Sequence, residues 1–431
     1  MLGWKIVEQG AYRIPLKALS SDEEGLLSTF LSNVSLQESE LSSIKAELDS
    51  FAHSQGIYLD HGQLGYLSEY LFHHVFGFAF LDFLLKDDSI EEISIPQVGK
   101  NAYVFIRKKG WQKVNAMFTT EEAVMETANK MAKSCGRRIT YKSPRLDAVL
   151  PDGSRLHASL FPISGGELTI RKFRQSPFSP HELFSSSTYP LEALSFLSFV
   201  FQSDLSILIA GNTASGKTTS LNSFFSYVPL NERVVITEQT PEINIPHEHV
   251  VRLVASPESG VGMSDIIYDT FRMRPDRLIV GEARSAQEVN ALFDSLLAGQ
   301  ARGCYATFHA NSSSEALKRL SLLGISELDL KAIDLVVVQK RMLRYDPKER
   351  KNAELRRMLE IFDVKEGKQV FMFNGKGWKE RSTLSLSRIS SSLGITAKEL
   401  SAQRKARESF IRKQRDFSSF VSAFQKEFYG L

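Results

Sequence analysis

Apolar and polar positions along this chain change rhythm several times, and the changes mark out its parts. Through residue 60 apolar side chains recur at helical spacing and no catalytic cluster is present, so 1–60 reads as a small helical adaptor. The most apolar window is "YLSEYLFHHVFGFAFLDFLL" (66–85). Glu69, His73, His74 and Asp82 inside it are costly in a bilayer, so a buried core helix is expected there in preference to a membrane-inserting segment. From about 86 the rhythm shortens. "IEEISIP" and "NAYVFIRKKGWQKV" predict strands, "TTEEAVMETANKMAKSCG" a helix, and "LDAVLPDGSRLHASLF" a hairpin turning at Pro151-Asp152-Gly153. Together they predict an α+β domain over 61–175, followed by a linker rich in Ser and Pro at 176–190.

Over 191–345 strand and helix patterns alternate, as a parallel α/β sheet requires. "SAQEVNALFDSLLAGQ" is the most legible helix. Ser285 and Glu288 make a capping box, Val289, Leu292, Phe293, Leu296 and Leu297 form one stripe, and Gly299 ends it. The strand-like "GCYATFHA" follows, then a second capping box of Ser312 with Glu315. Residues 346–431 predict a hairpin at Asn374-Gly375 and a helical tail packing on the preceding domain. In the last helix Phe417, Phe420, Val421, Phe424 and Phe428 share a face, and Arg404, Lys405, Arg407, Arg412, Lys413 and Arg415 make the tail basic. Such a tail either packs its phenylalanines on the core or meets a membrane surface or nucleic acid.

Composition narrows the class. A length of 431 residues exceeds what one core usually holds, and 42% hydrophobic with 24% charged residues is ordinary for a globular protein. A net charge of +3 is too small to argue for nucleic-acid binding by itself. Cys135 and Cys304 stand far apart, which excludes a disulfide framework or a four-cysteine zinc module. The opening "MLGWKIVEQGAYRIPLK" lacks the apolar core of a signal peptide, so the cytoplasm is the expected compartment.

Candidate chemistry begins at "LSILIAGNTASGKTTSLNSF" (205–224). Gly211, Asn212, Thr213, Ala214, Ser215, Gly216, Lys217 and Thr218 match GxxxxGK[ST] without departure, and Thr219 opens the helical run that continues to Tyr227. Backbone N–H groups of such a loop hold phosphates, Lys217 reaches the β and γ oxygens, and Thr218 offers a hydroxyl to Mg²⁺. Hydrolysis needs a further group near the γ-phosphate to orient water. "RLIVGEAR" (277–284) supplies Glu282 at the tip of a strand, with Gly281 where an Asp is usual, so Mg²⁺ falls largely to Thr218, phosphates and water. "RVVITEQTPEINIP" (233–246) runs a strand into Glu238 and Glu242, and His309 closes "YATFHA".

In this order and spacing the pieces resemble the secretion ATPases of the type II/type IV pilus superfamily, over about 86–365. "GNTASGKTT" looks like that family's Walker A, "ITEQTPE" like its Asp box, "FRMRPDRLIVGEAR" like its Walker B and "GCYATFHAN" like its His box. "LPDGSRLHASLFPISGGELTIRKF" looks like the segment with which its N-terminal domain closes over nucleotide. The resemblance implies an α/β fold, a RecA-like P-loop ATPase core with a separate N-terminal α+β domain and helical extensions at both ends. It implies ATP and Mg²⁺ as cofactors and a homo-hexamer. Glu282 would polarise water and lie by the metal, Glu238 would assist, His309 would sense the γ-phosphate, and Arg155 and Arg171 would act as arginine fingers. Arg272 and Arg274 are either subunit-interface residues or ordinary ion-pair partners.

Three departures bear on this. Gln239 stands where the Asp box has its aspartate, Arg302 occupies the position of the His box's first histidine, and the four-cysteine zinc insertion and retraction-motor signature are missing. The last of these leans toward an archaeal-type assembly motor. The expected function is a cytoplasmic ATP-hydrolysing motor that works through a polytopic membrane platform protein on pilin-like subunits, with no nucleic acid. A ring-shaped DNA translocase is the alternative, and a non-hydrolysing nucleotide-gated scaffold a third.

Overall fold

The computed structural model describes all residues except Met1, Arg107, Lys108, Gln175, Pro257, Glu258, Lys348, Glu349 and Thr383. Its contacts divide the chain into two units, Met1–Arg174 and Gln175–Leu431.

The first unit opens with β1 (Trp4–Ile6) and four helices, α1 (Ser21–Asn33), α2 (Leu41–Ser54), α3 (His61–Val75) and α4 (Leu81–Lys86). Next come β2 (Ile90–Ile95), β3 (Tyr103–Ile106), β4 (Gly110–Lys113), β5 (Ala116–Phe118), α5 (Glu121–Ala132), β6 (Arg145–Val149), β7 (Arg155–Ser159) and β8 (Glu167–Arg171). Six of the strands form an antiparallel sheet in the order β4-β3-β2-β8-β7-β6. The predicted turn at 151–153 joins β6 to β7 as expected.

Residues 1–60 do not stand apart from this sheet. β1 finds its backbone partners on β5, Trp4 opposite Phe118. Trp4 stacks on Tyr70 at 4.8 Å, and the Tyr70 hydroxyl donates to the Lys17 carbonyl at 2.5 Å. Leu27, Phe30, Ile44 and Leu48 then share one core with Ile93, Val104, Leu156 and Ile170, because amphipathic helices this short have no other place to bury their apolar stripes. The apolar window 66–85 is likewise two helices and not one. The chain turns at Gly77, where a Cβ would fall 2.0 Å from Asp82 Oδ2, and Ala79 takes φ 56°. Asp82 accepts from the Phe78 N–H at 3.1 Å and lies 2.6 Å from His73 Nδ1, so the charged residues of the window close this corner.

The second unit comprises α6 (Pro180–Ser185), α7 (Leu191–Gln202), β9 (Ile207–Gly211), α8 (Lys217–Phe224), β10 (Val234–Glu238), β11 (Val250–Val254), α9 (Met263–Asp269) and β12 (Arg277–Val280). It continues with α10 (Ala286–Leu297), β13 (Gly303–Phe308), α11 (Ser313–Leu322), β14 (Leu335–Asp346) and β15 (Lys351–Asp363). The last elements are β16 (Lys368–Phe373), β17 (Trp378–Glu380), α12 (Leu384–Leu393), α13 (Ala397–Lys413) and α14 (Phe417–Tyr429). The nine strands β9 to β17 make one sheet, β11-β10-β12-β13-β9-β14-β15-β16-β17. The first six run parallel and the rest antiparallel. β9, β10, β12 and β13 are buried at every residue, as apolar runs of a sheet covered on both faces should be. Alternate side chains go to two cores: Ile207, Ile209, Ile236 and Ile279 face α7, α8, α13 and α14, while Leu208, Ala210, Val235 and Leu278 face α9, α10 and α11.

Two predicted boundaries change here. The stretch 176–190 is not a plain tether: Ser179 and Glu182 form a capping box with Pro180 at the first turn of α6, Leu183 is buried, and Ser179 Oγ donates to the Arg415 carbonyl at 2.6 Å. The expected division at 345 falls inside β14, whose partner β15 carries the sheet onward. The tail packs on the core, as its phenylalanine stripe suggested: Phe420 and Phe424 are fully buried. Part of its basic character is spent in that packing. Arg407 lies buried with its guanidinium 3.7 Å from the centre of the Phe199 ring, Arg404 pairs with Glu380, and Arg412 covers Phe184. Among the described residues no helix is long and apolar enough to cross a membrane.

Candidate active site

The glycine loop joins β9 to α8, and its shape follows from its small residues. Gly216 takes φ 93° and Ala214 φ 59°. A Cβ on Gly211 would meet the Gln339 carbonyl oxygen at 2.2 Å, so only glycine fits between the loop and β14. No side chain caps the first turn of α8, whose N–H groups are left facing the loop. Ser215 Oγ is buried without a partner. Lys217 Nζ folds into the loop, donating to the carbonyls of Gly211 at 3.2 Å and Asn212 at 3.4 Å. Burial lowers the pKa of its ammonium, and the charges of Glu282 and Glu242 oppose that shift. Thr213 is exposed, and Thr219 is half-buried in the first turn.

Strand order brings the other groups alongside. β13 lies between β9 and β12, so the ends of all three strands meet at one edge. Glu282 follows β12 and His309 follows β13, and His309 Nε2 sits 2.7 Å from Glu282 Oε1. Arg284 pairs with the other oxygen of Glu282. Thr307 Oγ1 donates to the Gly281 carbonyl at 2.6 Å, which fixes the turn ahead of Glu282 to β13. Burial first, and then the Lys217 charge, lower the pKa of the His309 imidazole.

The acidic segment after β10 arranges itself differently from expectation. Glu238 is buried, and its Oε1 accepts the N–H groups of Glu242 at 2.7 Å and Ile243 at 2.8 Å, while Arg252 holds Oε2. Its carboxylate is committed to shaping the turn. Burial raises its pKa, and those bonds with Arg252 oppose the shift. The acid beside the loop is Glu242, whose Oε2 accepts from Thr218 Oγ1 at 3.2 Å. The pattern of two acids after a strand named both residues, and the four-residue turn between them decides which one faces the phosphate loop. Glu238 also explains Gly281: a Cβ there would lie 2.9 Å from Glu238 Cγ, so the usual Asp has no room.

The atypical residues fall outside this cluster. Gln239 Nε2 reaches Glu288 at 3.4 Å and does not face Thr218. Arg302 precedes β13, at the opposite end of the strand from His309, where it pairs with Asp204 and Glu232 at 2.9 Å each. Arg272 and Arg274 are exposed, Arg274 with φ 48°. In the first unit, Arg155 of β7 stands directly opposite Arg171 of β8, and Arg171 is in turn opposite Glu92.

The cluster in the second unit fits a polyphosphate with a small divalent cation. The collapsed glycine cradle, the orphaned Ser215 hydroxyl, the uncapped α8 and the Lys217 ammonium suit phosphate oxygens, while Thr218 and Glu242 offer oxygen ligands. Among the described residues no three His, Cys, Asp or Glu side chains converge to cage a metal, so the cation would take most ligands from phosphate and water.

Comparison with known proteins agrees with this geometry. An uncharacterized protein of Methanocaldococcus jannaschii is 36% identical over 232 residues, 51% of this chain and 32% of that protein. The conjugal transfer protein TrbB of Rhizobium radiobacter is 31% identical over 266 residues, covering 59% of this chain and 80% of that one. Matches to three curated relatives span between 32% and 64% of those relatives' own length. The ATPase DotB of Legionella pneumophila shares the fold, with a TM-score of 0.50 at 17% identity over 81% of this chain and 91% of that chain. The sequence model of the type II/IV secretion system proteins matches residues 82–426, through both units and every motif of the cluster; the chain is a member of that family.

Proposed function

We propose that this chain is an ATP-hydrolysing motor of a secretion, conjugation or pilus machine, built on a RecA-like P-loop core. The observation that carries the reading is the convergence of Lys217, Glu282 and His309 at the ends of β9, β12 and β13. Bound Mg²⁺-ATP supplies the phosphoanhydride to be cleaved and a cation that neutralises its charge. The loop from Gly211 to Thr219 grips the phosphates through backbone N–H groups and Lys217. Thr218 and Glu242 hold the cation's oxygen shell in place. Glu282 orients the attacking water, and His309, 2.7 Å away, registers the terminal phosphate. Glu238 acts one step removed, by fixing Glu242. Arg155 and Arg171 are the positive charge that this reading assigns to the phosphates from the first unit.

One relative is a conjugal transfer protein and the family is that of the type II/IV secretion system proteins, which supports a machine at a membrane. The proposed partners are therefore further copies of the chain in a hexamer and a polytopic membrane platform protein, at the cytoplasmic face, with pilin-like subunits moved indirectly. The test is twofold. Phosphate release must occur with the wild type and disappear in Glu282→Gln. The same variant, loaded with ATP, must retain a polytopic membrane protein from detergent-solubilised membranes; co-purification of DNA-processing proteins in its place would favour a translocase.

A further inference from the structure

Gln339 lies at the back of the phosphate loop, where no motif points. It pairs with Gly211 in the parallel register, immediately after the irregularity at Val338/Gln339, and it is 1% exposed. Its carbonyl oxygen occupies the space that a Cβ at Gly211 would need, and its Nε2 lies 3.0 Å from the corresponding point at Gly216. Both glycines of the loop thus rest on one residue. Its side-chain oxygen accepts two hydrogen bonds, from Ser220 Oγ in α8 at 2.7 Å and from the Tyr189 hydroxyl at 3.1 Å.

Tyr189 belongs to residues 186–189, the stretch that joins α6 to α7 within the second unit. Its ring is fully buried and meets Phe224 of α8 edge-on at 5.3 Å. β15 holds the same four residues: the Met358 N–H donates to the Thr188 carbonyl at 2.8 Å, and Arg357 Nη1 to the Ser186 carbonyl at 3.1 Å. The loop is braced by the same two strands at other points. Arg356 Nε donates to the Ala214 carbonyl at 2.9 Å, and Asn212 exchanges hydrogen bonds of 2.8 and 3.1 Å with the Arg341 backbone. β14 and β15 therefore grip the phosphate loop and the joining stretch together, and the Gln339 amide is the point where the two meet.

We propose that Gln339 is a positioning residue that passes the nucleotide state of the phosphate loop to Ser186–Tyr189. This rests on the ATP-binding reading above. One carboxamide oxygen shares its two lone pairs between α8 and the joining stretch. A loop that tightens on a polyphosphate moves Ser220 and with it the acceptor of the Tyr189 hydroxyl. A buried donor left without its acceptor is costly, so Tyr189 follows. A buried amide that merely filled space would hold the joining stretch alike with or without nucleotide.

Amide hydrogen exchange on the full chain, with and without Mg²⁺ and a non-hydrolysable ATP analogue, separates these cases. In the wild type the analogue is expected to slow exchange over 211–220 and, by about fivefold or more, over 184–190. Gln339→Met removes the shared acceptor at similar volume, and is expected to keep the protection of the loop while losing that of 184–190. Tyr189→Phe keeps the ring, removes only the hydroxyl and is expected to do the same, which covers a Gln339→Met protein that fails to fold. Equal protection of 184–190 in wild type and variants overturns the proposal, as does a wild type that protects the loop alone. A wild type with no loop protection at all removes the ATP-binding reading itself, a separate and earlier failure.

Discussion

β12 and β13 carry charge at both ends, and the two ends treat it in opposite ways. At their starts Arg277 is fully buried, with its guanidinium bonded to Glu232, to the Ser203 carbonyl at 2.8 Å and to the Tyr305 hydroxyl at 2.9 Å. Arg302 adds a second pair to Glu232. Every partner in that set belongs to the chain, and burial without such pairing would be prohibitive. At the other ends Glu282, His309 and Lys217 face one another with His309 37% exposed, and Lys217 donates to loop carbonyls. A closed set of partners marks charge used to hold the sheet; an open set converging on one edge marks charge held ready for a ligand. Arg302 belongs to the first kind, although the resemblance located it in a phosphate-sensing motif.

The contrast is most directly broken by Glu282→Gln. Phosphate release is expected to fall about 10²–10⁴-fold, with a melting temperature close to that of the wild type. A comparable activity with a lowered melting point would reverse the roles of the two ends. Arg277→Met is the mirror experiment: it removes the buried guanidinium and leaves Glu232 to Arg302 alone, and denaturant titration should show a loss of about 1–3 kcal/mol, while the folded fraction keeps its turnover. Acid sharpens the same distinction through His247, near Arg277, whose pKa burial lowers to about 4. Its neutral form is the one that folds, so below about pH 6.5 the unfolded chain gains the proton first and stability declines, by about 2 kcal/mol at pH 5. His247→Gln should flatten that slope. The smallest effect is expected from Gln239→Ala, which removes the bond to Glu288: stability within about 0.5 kcal/mol and turnover within about twofold, and a larger loss of turnover would bring Gln239 into the site.

The glycine loop was legible in sequence because its signature is local. Gly211, Gly216 and Lys217 fall at fixed spacing between an apolar strand and a helix, although the backbone that excludes a side chain at Gly211 is that of Gln339, in β14. The strand carrying Glu282 and the helix capped by Ser285 and Glu288 were legible for the same reason. The different settings of Glu238 and Glu242 were not, since they turn on an ion pair from Glu238 to Arg252 of the neighbouring β11. Gln339, Arg356 and Tyr189 were hidden likewise, because sheet order brings together residues more than a hundred positions apart. Other misses had local signals. Ser179-Pro180 with Glu182 announces α6, and Gly77 breaks the apolar window, but composition outweighed both. The second capping box is half formed: Ser312 caps Glu315, whose carboxylate turns to the Asn311 N–H at 2.8 Å instead.

One strand, β13, separates the strand that carries the glycine loop from the strand that carries Glu282. Two strand spacings, about 9–10 Å, thus stand between the anchor points of Lys217 and Glu282. If the chain is the motor proposed above, the sheet is a length gauge. In the proposed reading a diphosphate held by Lys217 stops short of Glu282 and His309, and one further phosphoryl group spans the gap, so substrate and product are told apart by reach.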